Sequence, residues 1–280
     1  MSLELPEAYI LAEQMNRELR GREIANYSLQ NHEKLQRLGF INKDSPAFEW
    51  LVGGKIESVV SRGNVIRVKL DKAMNLLLAP EYGGAVLFHT KASGIPAKFH
   101  LKLFFKDGST LTVALTGMGI IQALKDEELE RSYVYKRDFS PTASPIDETE
   151  FTLERFSREL TIKKVNIKAA LVGKEAVIVG LSNSAFQDVI HRAKIHPKRK
   201  ASDLTLSEQN SLHNAIKLFI QERIKSHGKN QFVDLYGKHG LYEPTMGPNM
   251  KDKTCVTCHG KVGKLNLGGG QTYFCPSCQH

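Results

Sequence analysis

The sequence predicts an α+β protein in which an N-terminal helix leads a β-sandwich and a helical half ends in a cysteine-bearing hairpin. Three observations predict it. Residues 50 to 116 hold six short strand-like runs, residues 149 to 228 hold helical patterns, and all four cysteines lie between residues 254 and 279. At 280 residues the chain is long for one hydrophobic core, so we expect two domains and a small appendage.

The N-terminal half predicts one helix and a run of strands. Residues 5 to 24 favour a helix, because Pro6 suits a first turn and Ile10, Leu11 and Met15 form an apolar stripe. Alternating apolar residues then predict strands, and turn sequences such as Arg62-Gly63-Asn64 separate them. The strand runs are KIESVVS, VIRVKL, NLLLA, AVLFH, FHLKLFF and STLTVAL.

A segment rich in proline, serine and threonine divides the chain. The stretch RDFSPTASPIDETE, residues 137–150, has no apolar period and is typical of a linker. We therefore expect a β-sandwich domain over residues 1–136, a helical domain over 151–245 and a hairpin over 246–280. The helical patterns are TEFTLERFSREL, IKAALVG, SNSAFQDVIHRAKI and TLSEQNSLHNAIKLFIQERIKSHG.

The positive charge lies in the second half of the chain. The whole chain carries a net charge of +9, whereas residues 1 to 150 hold 19 basic against 20 acidic residues. This asymmetry favours a polyanionic partner for the second half; the alternative is a basic surface that serves only solubility. No apolar run predicts a membrane span or a secretory signal, so we expect a cytoplasmic protein, nucleoid-associated if its partner is DNA.

The four cysteines form two Cys-x-x-Cys pairs. Cys255 and Cys258 precede the Gly-rich stretch GKVGKLNLGGGQTYF, and Cys275 and Cys278 follow it. Two such pairs on a hairpin can hold one tetrahedral zinc ion, and a closed shell of four thiolates is structural, not catalytic. We expect one structural Zn²⁺; two redox pairs, two disulfides and an iron site are the alternatives.

Three stretches in order resemble one known family. They are ELPE at residues 4–7, VGLSNSAFQDVIHRAKIHPKRKASDLT at 179–205 and GGGQTYFCPSCQ at 268–279. Together they are similar to the formamidopyrimidine-DNA glycosylase and endonuclease VIII family along almost the whole chain. The resemblance implies a helix–two-turn–helix motif in the helical domain, a zinc finger at the end, and a monomer that holds damaged or abasic duplex DNA in a cleft between its domains.

The resemblance assigns DNA contacts to the second stretch. Asn183 matches a family residue that contacts the DNA backbone near the lesion, at a turn whose free N–H groups suit a phosphate. The structural interpretation of Asn183 is a helix N-cap, and the two roles are compatible. His196, Lys198, Arg199 and Lys200 supply basic side chains beyond it. Such density suits phosphate contacts, and its alternative is a solvated face.

The family's catalytic amine has no direct counterpart. The family attacks C1′ of the damaged nucleotide with an N-terminal proline, and the resemblance places Leu3 at that position. The amine of Ser2 or Met1 would have to serve instead. Glu4 matches the family's acid beside the nucleophile and Glu7 a second carboxylate, although a carboxylate at a helix start also has a structural use.

Four further positions depart from the family pattern. Asn64 stands where a hairpin lysine is expected, and Gly270 stands where the zinc finger carries an arginine. Ala92 replaces a wedge methionine, and Met118 stands where a wedge phenylalanine is expected. The zinc ligands and Asn183 remain.

Three functions compete on these observations. The first is a damaged-DNA-binding protein with reduced or absent catalysis. The second is an active base-excision glycosylase and abasic-site lyase that uses its N-terminal amine. The third is a zinc-stapled protein-interaction module, which the charge of the second half disfavours. Losses at the catalytic positions favour the first, because function resides in the site and not in the fold.

Overall fold

The structure is a computed structural model that describes residues 3–43, 45–80, 83–91 and 94–280. The chain forms two compact units. One unit contains the residues up to Ser140 together with Ser226–Leu241, and the other contains Pro141–Lys225 together with Tyr242–His280. The domain boundaries that the sequence suggested stay predictions, although the contacts assign residues 226–241 to the first unit and not to the helical one.

Helix α1, Leu5–Leu19, opens the first unit and is shorter than the sequence predicted. Its apolar stripe is buried, with Leu11 and Met15 almost fully inaccessible to solvent. The helix stops because Gly21 adopts a left-handed φ of 85°, which favours glycine, and the chain then enters strand β1 at Ile24. The expectation of a helix up to residue 24 is therefore wrong by one turn.

Eight antiparallel strands form a sandwich of two four-stranded sheets behind this helix. One sheet has the order β1-β6-β7-β5 and the other the order β2-β3-β4-β8. Strand β4 is buried along its whole length and supplies much of the core. The strands are β1 Ile24–Leu29, β2 Ile56–Arg62, β3 Val65–Leu70, β4 Met74–Pro80, β5 Ala85–His89, β6 Leu101–Phe105, β7 Thr110–Ala114 and β8 Gly119–Lys125.

Short helical segments fill the connections of the first unit. Helix α2 follows β1, and a 3₁₀ turn and helix α3 follow β8. These segments are α2 His32–Arg37, the 3₁₀ turns Ser45–Leu51 and Asp126–Arg131, and α3 Tyr133–Asp138.

The segment Ser226–Leu241 completes the first unit from far along the chain. Its ends meet, since the Leu241 N–H donates to the Ser226 carbonyl at 2.8 Å. Gln14 of α1 anchors it in two ways: its side-chain amide donates to Asp234 at 2.9 Å and accepts from the Leu235 N–H at 3.0 Å. The Leu235 carbonyl in turn accepts from the N–H of Phe88 in β5 at 2.9 Å. The segment is thus bound to both the helix and a sheet of that unit.

Four helices build the second unit. The side chains of Thr152, Asn166 and Ser182 cap the first three by accepting backbone N–H groups. The long fourth helix buries the apolar face that its period predicts, including Leu212, Ile216 and Phe219. The helices are α4 Leu153–Thr161, α5 Ile167–Val172, α6 Asn183–Arg192 and α7 Leu206–Lys225.

The chain ends in the hairpin that its Gly-rich stretch predicted. Strand β9, Gly263–Leu267, pairs with β10, Gly270–Phe274, in regular antiparallel register. Gly268 and Gly269 form the turn with φ values of 55° and 76°. The α+β class, with its N-terminal sandwich and C-terminal helical part, is therefore confirmed. No helix within the described part of the chain has the length and apolarity that a bilayer crossing needs.

Candidate functional site

The four cysteines come together at the base of the β9–β10 hairpin. Their sulfur atoms all lie within 4.8 Å of one another, with Cys255 and Cys278 at 3.9 Å and Cys258 and Cys275 at 3.4 Å. All four are free thiols, so the two-disulfide alternative is not what the structure contains. Four zinc–sulfur bonds of about 2.3 Å in a tetrahedron separate the sulfurs by roughly 3.8 Å, which is close to the observed spacing. The cluster therefore fits a metal ion.

The surroundings of Cys255 favour its thiolate form. Burial would raise the pKa of this thiol, but N–H groups of Cys258 and Thr257 and the ring of His191 hold the pKa down at about 5. The Thr257 N–H lies 3.4 Å from the sulfur and His191 Nε2 also lies at 3.4 Å. Since a metal binds the thiolate, this environment suits a ligand.

The cysteine hairpin is fixed to helix α6. Gln187 on α6 accepts a hydrogen bond from the Tyr273 N–H at 2.7 Å, and Gln279 donates to the Ile195 carbonyl at 2.8 Å. Both contacts join the end of the chain to residues more than 80 positions earlier. These hydrogen bonds hold the hairpin against the α6 region. A metal ion that orders the hairpin therefore also orders the α6 residues that face it.

Asn183 occupies the first turn of α6 and faces the hairpin. The helix cap is Ser182, whose hydroxyl accepts from the Ser184 N–H. The interpretation of Asn183 as the N-cap is therefore wrong. Its side-chain Nδ2 donates to the Gln271 carbonyl at 3.2 Å, whereas its buried Oδ1 accepts no hydrogen bond from the described residues. Buried polar atoms of proteins are usually hydrogen-bonded, so this oxygen is a candidate contact for a ligand.

Lys168 on α5 joins Asn183 at the hairpin turn, and the sequence analysis missed it. Only 8% of the residue is exposed, its Nζ donates to the Leu267 carbonyl at 2.6 Å, and burial lowers its pKa. A Cβ placed on Gly270 would lie 3.7 Å from both Asn183 Nδ2 and Lys168 Nζ. A lysine among the apolar positions of a short helix was the available signal, since lysine is seldom buried without a purpose.

The four basic residues after α6 differ in their surroundings: two contact other side chains of the protein, and two are exposed to solvent. Arg199 forms a two-pronged pair with Glu208 at 2.8 and 3.1 Å and also donates to the Asp203 carbonyl. His196 stacks edge-on against Phe274 of the hairpin. Lys198 and Lys200 are exposed. The structure therefore gives Arg199 and His196 structural partners and leaves two lysines facing solvent, and a DNA-binding role for all four stays a prediction.

Glu4 and Glu7 lie at the start of α1, as their positions predicted, and both are almost fully buried. They face Lys229 of the returning segment. Glu7 accepts the Lys229 backbone N–H at 3.0 Å, and Glu4 lies 3.7 Å from Lys229 Nζ. Leu3 and Glu7 line one cavity of about 310 Å³ with Lys229. Lys229 was also missed, because 222 residues separate it from Glu7 and only the folded chain brings them together.

The β2–β3 turn, where the family resemblance predicts a lysine, is hydrogen-bonded to α3. The Asn64 N–H donates to Asp138 at 2.9 Å, and the Asn64 side-chain oxygen accepts from Arg137. Arg137 also pairs with Asp138, and a Cβ on Gly63 would lie 2.6 Å from the Asp138 carboxylate. Asn64 therefore has a structural task in this turn.

Two of the five remaining predicted positions, Met118 and Leu3, lie among the described residues. Met118 precedes β8 and is 48% exposed, so a large apolar side chain faces solvent there. Leu3 is buried beside Glu7. Met1, Ser2 and Ala92 lie outside the described residues, and their assigned roles stay predictions.

These features define a class of protein: a helix-led β-sandwich and a helical unit whose cysteine hairpin is locked to one helix. Two protein-family sequence models match this chain and agree with that class. Residues 3–115 match the formamidopyrimidine-DNA glycosylase N-terminal domain, and residues 142–233 match the formamidopyrimidine-DNA glycosylase H2TH domain. The chain belongs to the formamidopyrimidine-DNA glycosylase family.

Curated relatives span nearly the whole chain at low identity. The formamidopyrimidine-DNA glycosylase of Pelotomaculum thermopropionicum is 28% identical over 235 residues, which cover 82% of this chain and 83% of the relative. The enzyme of the same name from Desulforamulus reducens is 25% identical over 283 residues, covering 99% and 98%. The match therefore includes the C-terminal hairpin and is not confined to one unit.

Solved structures share the fold. The Lactococcus lactis Fpg protein in complex with DNA containing an abasic site superposes with a TM-score of 0.84 at 21% identity, covering 99% of each chain. A complex of the same organism's Fpg with DNA containing N7-benzyl-Fapy-dG gives a TM-score of 0.81 at 22% identity, again with 99% coverage of both chains.

Proposed function

We propose that this protein binds damaged or abasic duplex DNA and that the terminal-amine chemistry of its family is reduced or absent in it. The proposal combines family membership with the site. The relatives are DNA glycosylases by name, and solved neighbours hold abasic or damaged DNA. The basic second half of the chain suits the same polyanion.

One observation carries the binding part of the proposal: Lys168 and Asn183 converge on the turn of the cysteine hairpin. An ammonium group, an amide and the N-terminal end of the ten-residue helix α6 face the same place. Their donors and partial positive charge suit a phosphate oxygen. The Asn183 Oδ1, which accepts no hydrogen bond from the described residues, adds a polar atom at the same place.

The four cysteines support an accompanying proposal of one structural zinc ion. Tetrahedral thiolate sites of this spacing prefer zinc in proteins without a redox task. Bound zinc would hold the hairpin turn against Lys168 and Asn183. It would supply no open coordination position, so its contribution is to folding and not to the chemistry of bond cleavage.

The reduced-catalysis part rests on three residues at which the sequence departs from the family pattern. Leu3 is buried where the nucleophilic proline is expected, and its nitrogen lies within a peptide bond. Asn64 is engaged by Asp138 and Arg137 instead of offering a lysine. Gly270 has no side chain to replace an arginine.

A gel-shift titration tests the proposal. A duplex with one abasic site, one with an oxidised base and an intact duplex would be compared between about 50 and 200 mM salt. We expect tighter binding to the damaged duplexes and, for about five phosphate contacts, a log–log salt slope of about −4 to −5. Equal and weak affinity for all three duplexes would contradict damage recognition, and a flat salt response would favour a protein-interaction module.

An active glycosylase and lyase that uses its N-terminal amine is the second candidate. The observation in its favour is that Glu4 and Glu7, which match the family's carboxylates, are both retained and buried. It predicts a borohydride-trapped covalent adduct on the N-terminal peptide. Absence of that adduct on abasic and oxidised-base duplexes, with binding intact, would leave the first candidate standing.

A further inference from the structure

We propose that Lys229 is a nucleophilic amine of this protein and forms an imine with the aldehyde of an abasic deoxyribose in DNA. The inference rests on the proposed function, because the abasic strand must first be bound. It differs from the N-terminal-amine candidate in the residue whose amine attacks the sugar. Lys229 is far from the N-terminus in sequence, although the fold brings it next to Glu4.

The first argument is the position of the amine. Lys229 Nζ lies 3.7 Å from a Glu4 carboxylate oxygen, and both residues are more than 90% buried. An amine attacks a carbonyl only after its ammonium form has lost a proton, and a carboxylate at 3.7 Å reaches that proton through one bridging water or a shift of about 0.5 Å. Glu4 is thus placed as the base for Lys229.

The second argument is a cavity that Lys229 helps to line. Lys229 and Leu3 line this cavity, which has a volume of about 310 Å³. Its other lining residues are Glu7, Pro80, Gly83, Gly84, Gln231, Phe232 and Val233. This volume lies at the lower end of the range for small-molecule sites, and a sugar is a small ligand. The cavity therefore offers a place where an extruded abasic sugar can meet the amine.

The third argument is that the backbone fixes Lys229 in this position. Glu7 accepts the Lys229 N–H at 3.0 Å, and Gly228 turns the chain with a φ of 89°. A Cβ on Gly228 would lie 2.5 Å from the Phe232 ring and 3.2 Å from Glu7 Cγ. The lysine is thus held on a packed turn and not on a free loop, as a positioned nucleophile requires.

The reaction is balanced without a further reagent. A proton passes from the Lys229 ammonium to Glu4, and the Nζ lone pair forms a bond to C1′ of the open-chain aldehyde. The aldehyde oxygen takes one proton from the attacking amine and one from protonated Glu4 and leaves as water, which gives a protonated imine. The Glu4 carboxylate then accepts one C2′ proton, the C3′–oxygen bond breaks, and the 3′ phosphate leaves with that proton. Water hydrolyses the imine and returns the lysine in its ammonium form.

Borohydride trapping with peptide mapping tests the inference. The full chain is incubated with an abasic duplex and borohydride, and the trapped adduct is digested with trypsin. An adduct on Lys229 blocks cleavage there, so we expect the modified peptide to span residues 226–238. An adduct on the N-terminal peptide instead would overturn the inference.

Two variants separate chemistry from structure. Lys229→Arg keeps the positive charge beside Glu4 but forms no imine, so we expect loss of the adduct to background under conditions in which a gel shift shows the abasic duplex still bound. Lys238→Arg, an exposed lysine of the same segment, should keep both. Persistence of the adduct in Lys229→Arg overturns the inference.

The inference and the proposed function fail in different ways. A bound abasic duplex that yields no adduct overturns the inference and leaves DNA binding standing. Failure to shift any damaged duplex overturns the proposed function, and the inference with it.

Discussion

Lys168 is the residue on which DNA affinity should depend most clearly. Its ammonium group is buried, donates to the Leu267 carbonyl and faces the hairpin turn. We expect Lys168→Gln to weaken binding to damaged duplex by about tenfold and to lower the salt slope by about one unit, as for the loss of one phosphate contact. A gel-shift titration at several salt concentrations measures both.

The matched control is Lys164→Gln. Lys164 is exposed, lies four residues earlier, and carries the same charge. It should change the affinity little. If both variants weaken binding equally, net charge and not the position of Lys168 determines affinity.

The residues that the sequence could identify differ from those that it could not. The clustering of the four cysteines follows from their spacing, because two short Cys-x-x-Cys pairs on a hairpin bring their sulfur atoms together. Lys229 follows from no local pattern, since its partners Glu4 and Glu7 lie at the other end of the chain. The partner of Asn64 was equally hidden, because Asp138 contacts it from a short helix after the sandwich.

Among the elements, the returning segment Ser226–Leu241 gives the sharpest stability test. Gly228 and Gly237 both have left-handed φ values, 89° and 81°, but only Gly228 is packed against Phe232 and Glu7. Alanine at either position costs about 1–2 kcal/mol of backbone strain. Gly228→Ala adds a steric clash, so we expect a total loss of about 3–4 kcal/mol.

Thermal unfolding of the two variants measures this difference. Gly237→Ala serves as the control, because a Cβ there meets nothing within 4 Å. Equal melting temperatures for the two variants would show that the packing of Gly228 contributes nothing to the stability of the segment.

The local sequence pattern predicted most strands and the helices of the second unit, but it missed strands β1 and β8. All six strand runs that alternation predicted exist, and the four helical patterns of the second half became α4 to α7. Strand β1, Ile24–Leu29, was not predicted, and the predicted helix ran on to its first residue although Gly21 is a recognisable stop. Strand β8 was not predicted either, because it depends on pairing with β4 along its length.

On the scale of the whole molecule, metal removal should act on one unit. Chelation would remove the proposed zinc ion from the four cysteines. Strands β9 and β10 and the N-terminal end of α6, which contacts them, would then be less ordered. We expect faster hydrogen exchange over residues 251–279 and weaker DNA binding, with exchange in the β-sandwich unchanged. Exchange mass spectrometry before and after chelation measures this.

Cys258→Ser tests the same point by substitution. It should lower the zinc content per chain, which elemental mass spectrometry measures, whereas the exposed neighbour Ser277→Ala should retain full zinc. Full zinc in Cys258→Ser would contradict a four-cysteine site.

The discontinuous make-up of the first unit has a consequence for its biosynthesis. The β-sandwich is synthesised first, yet the hydrogen bonds of Gln14 to Asp234 and of Glu7 to the Lys229 N–H form only when residues 226–241 leave the ribosome. At roughly 5–20 residues per second, the nascent sandwich waits about 5–20 seconds for the hundred or so residues beyond Ser140. During that interval the contacts of the returning segment with α1 and β5 are missing, so chaperone dependence should be greatest before translation reaches Leu241.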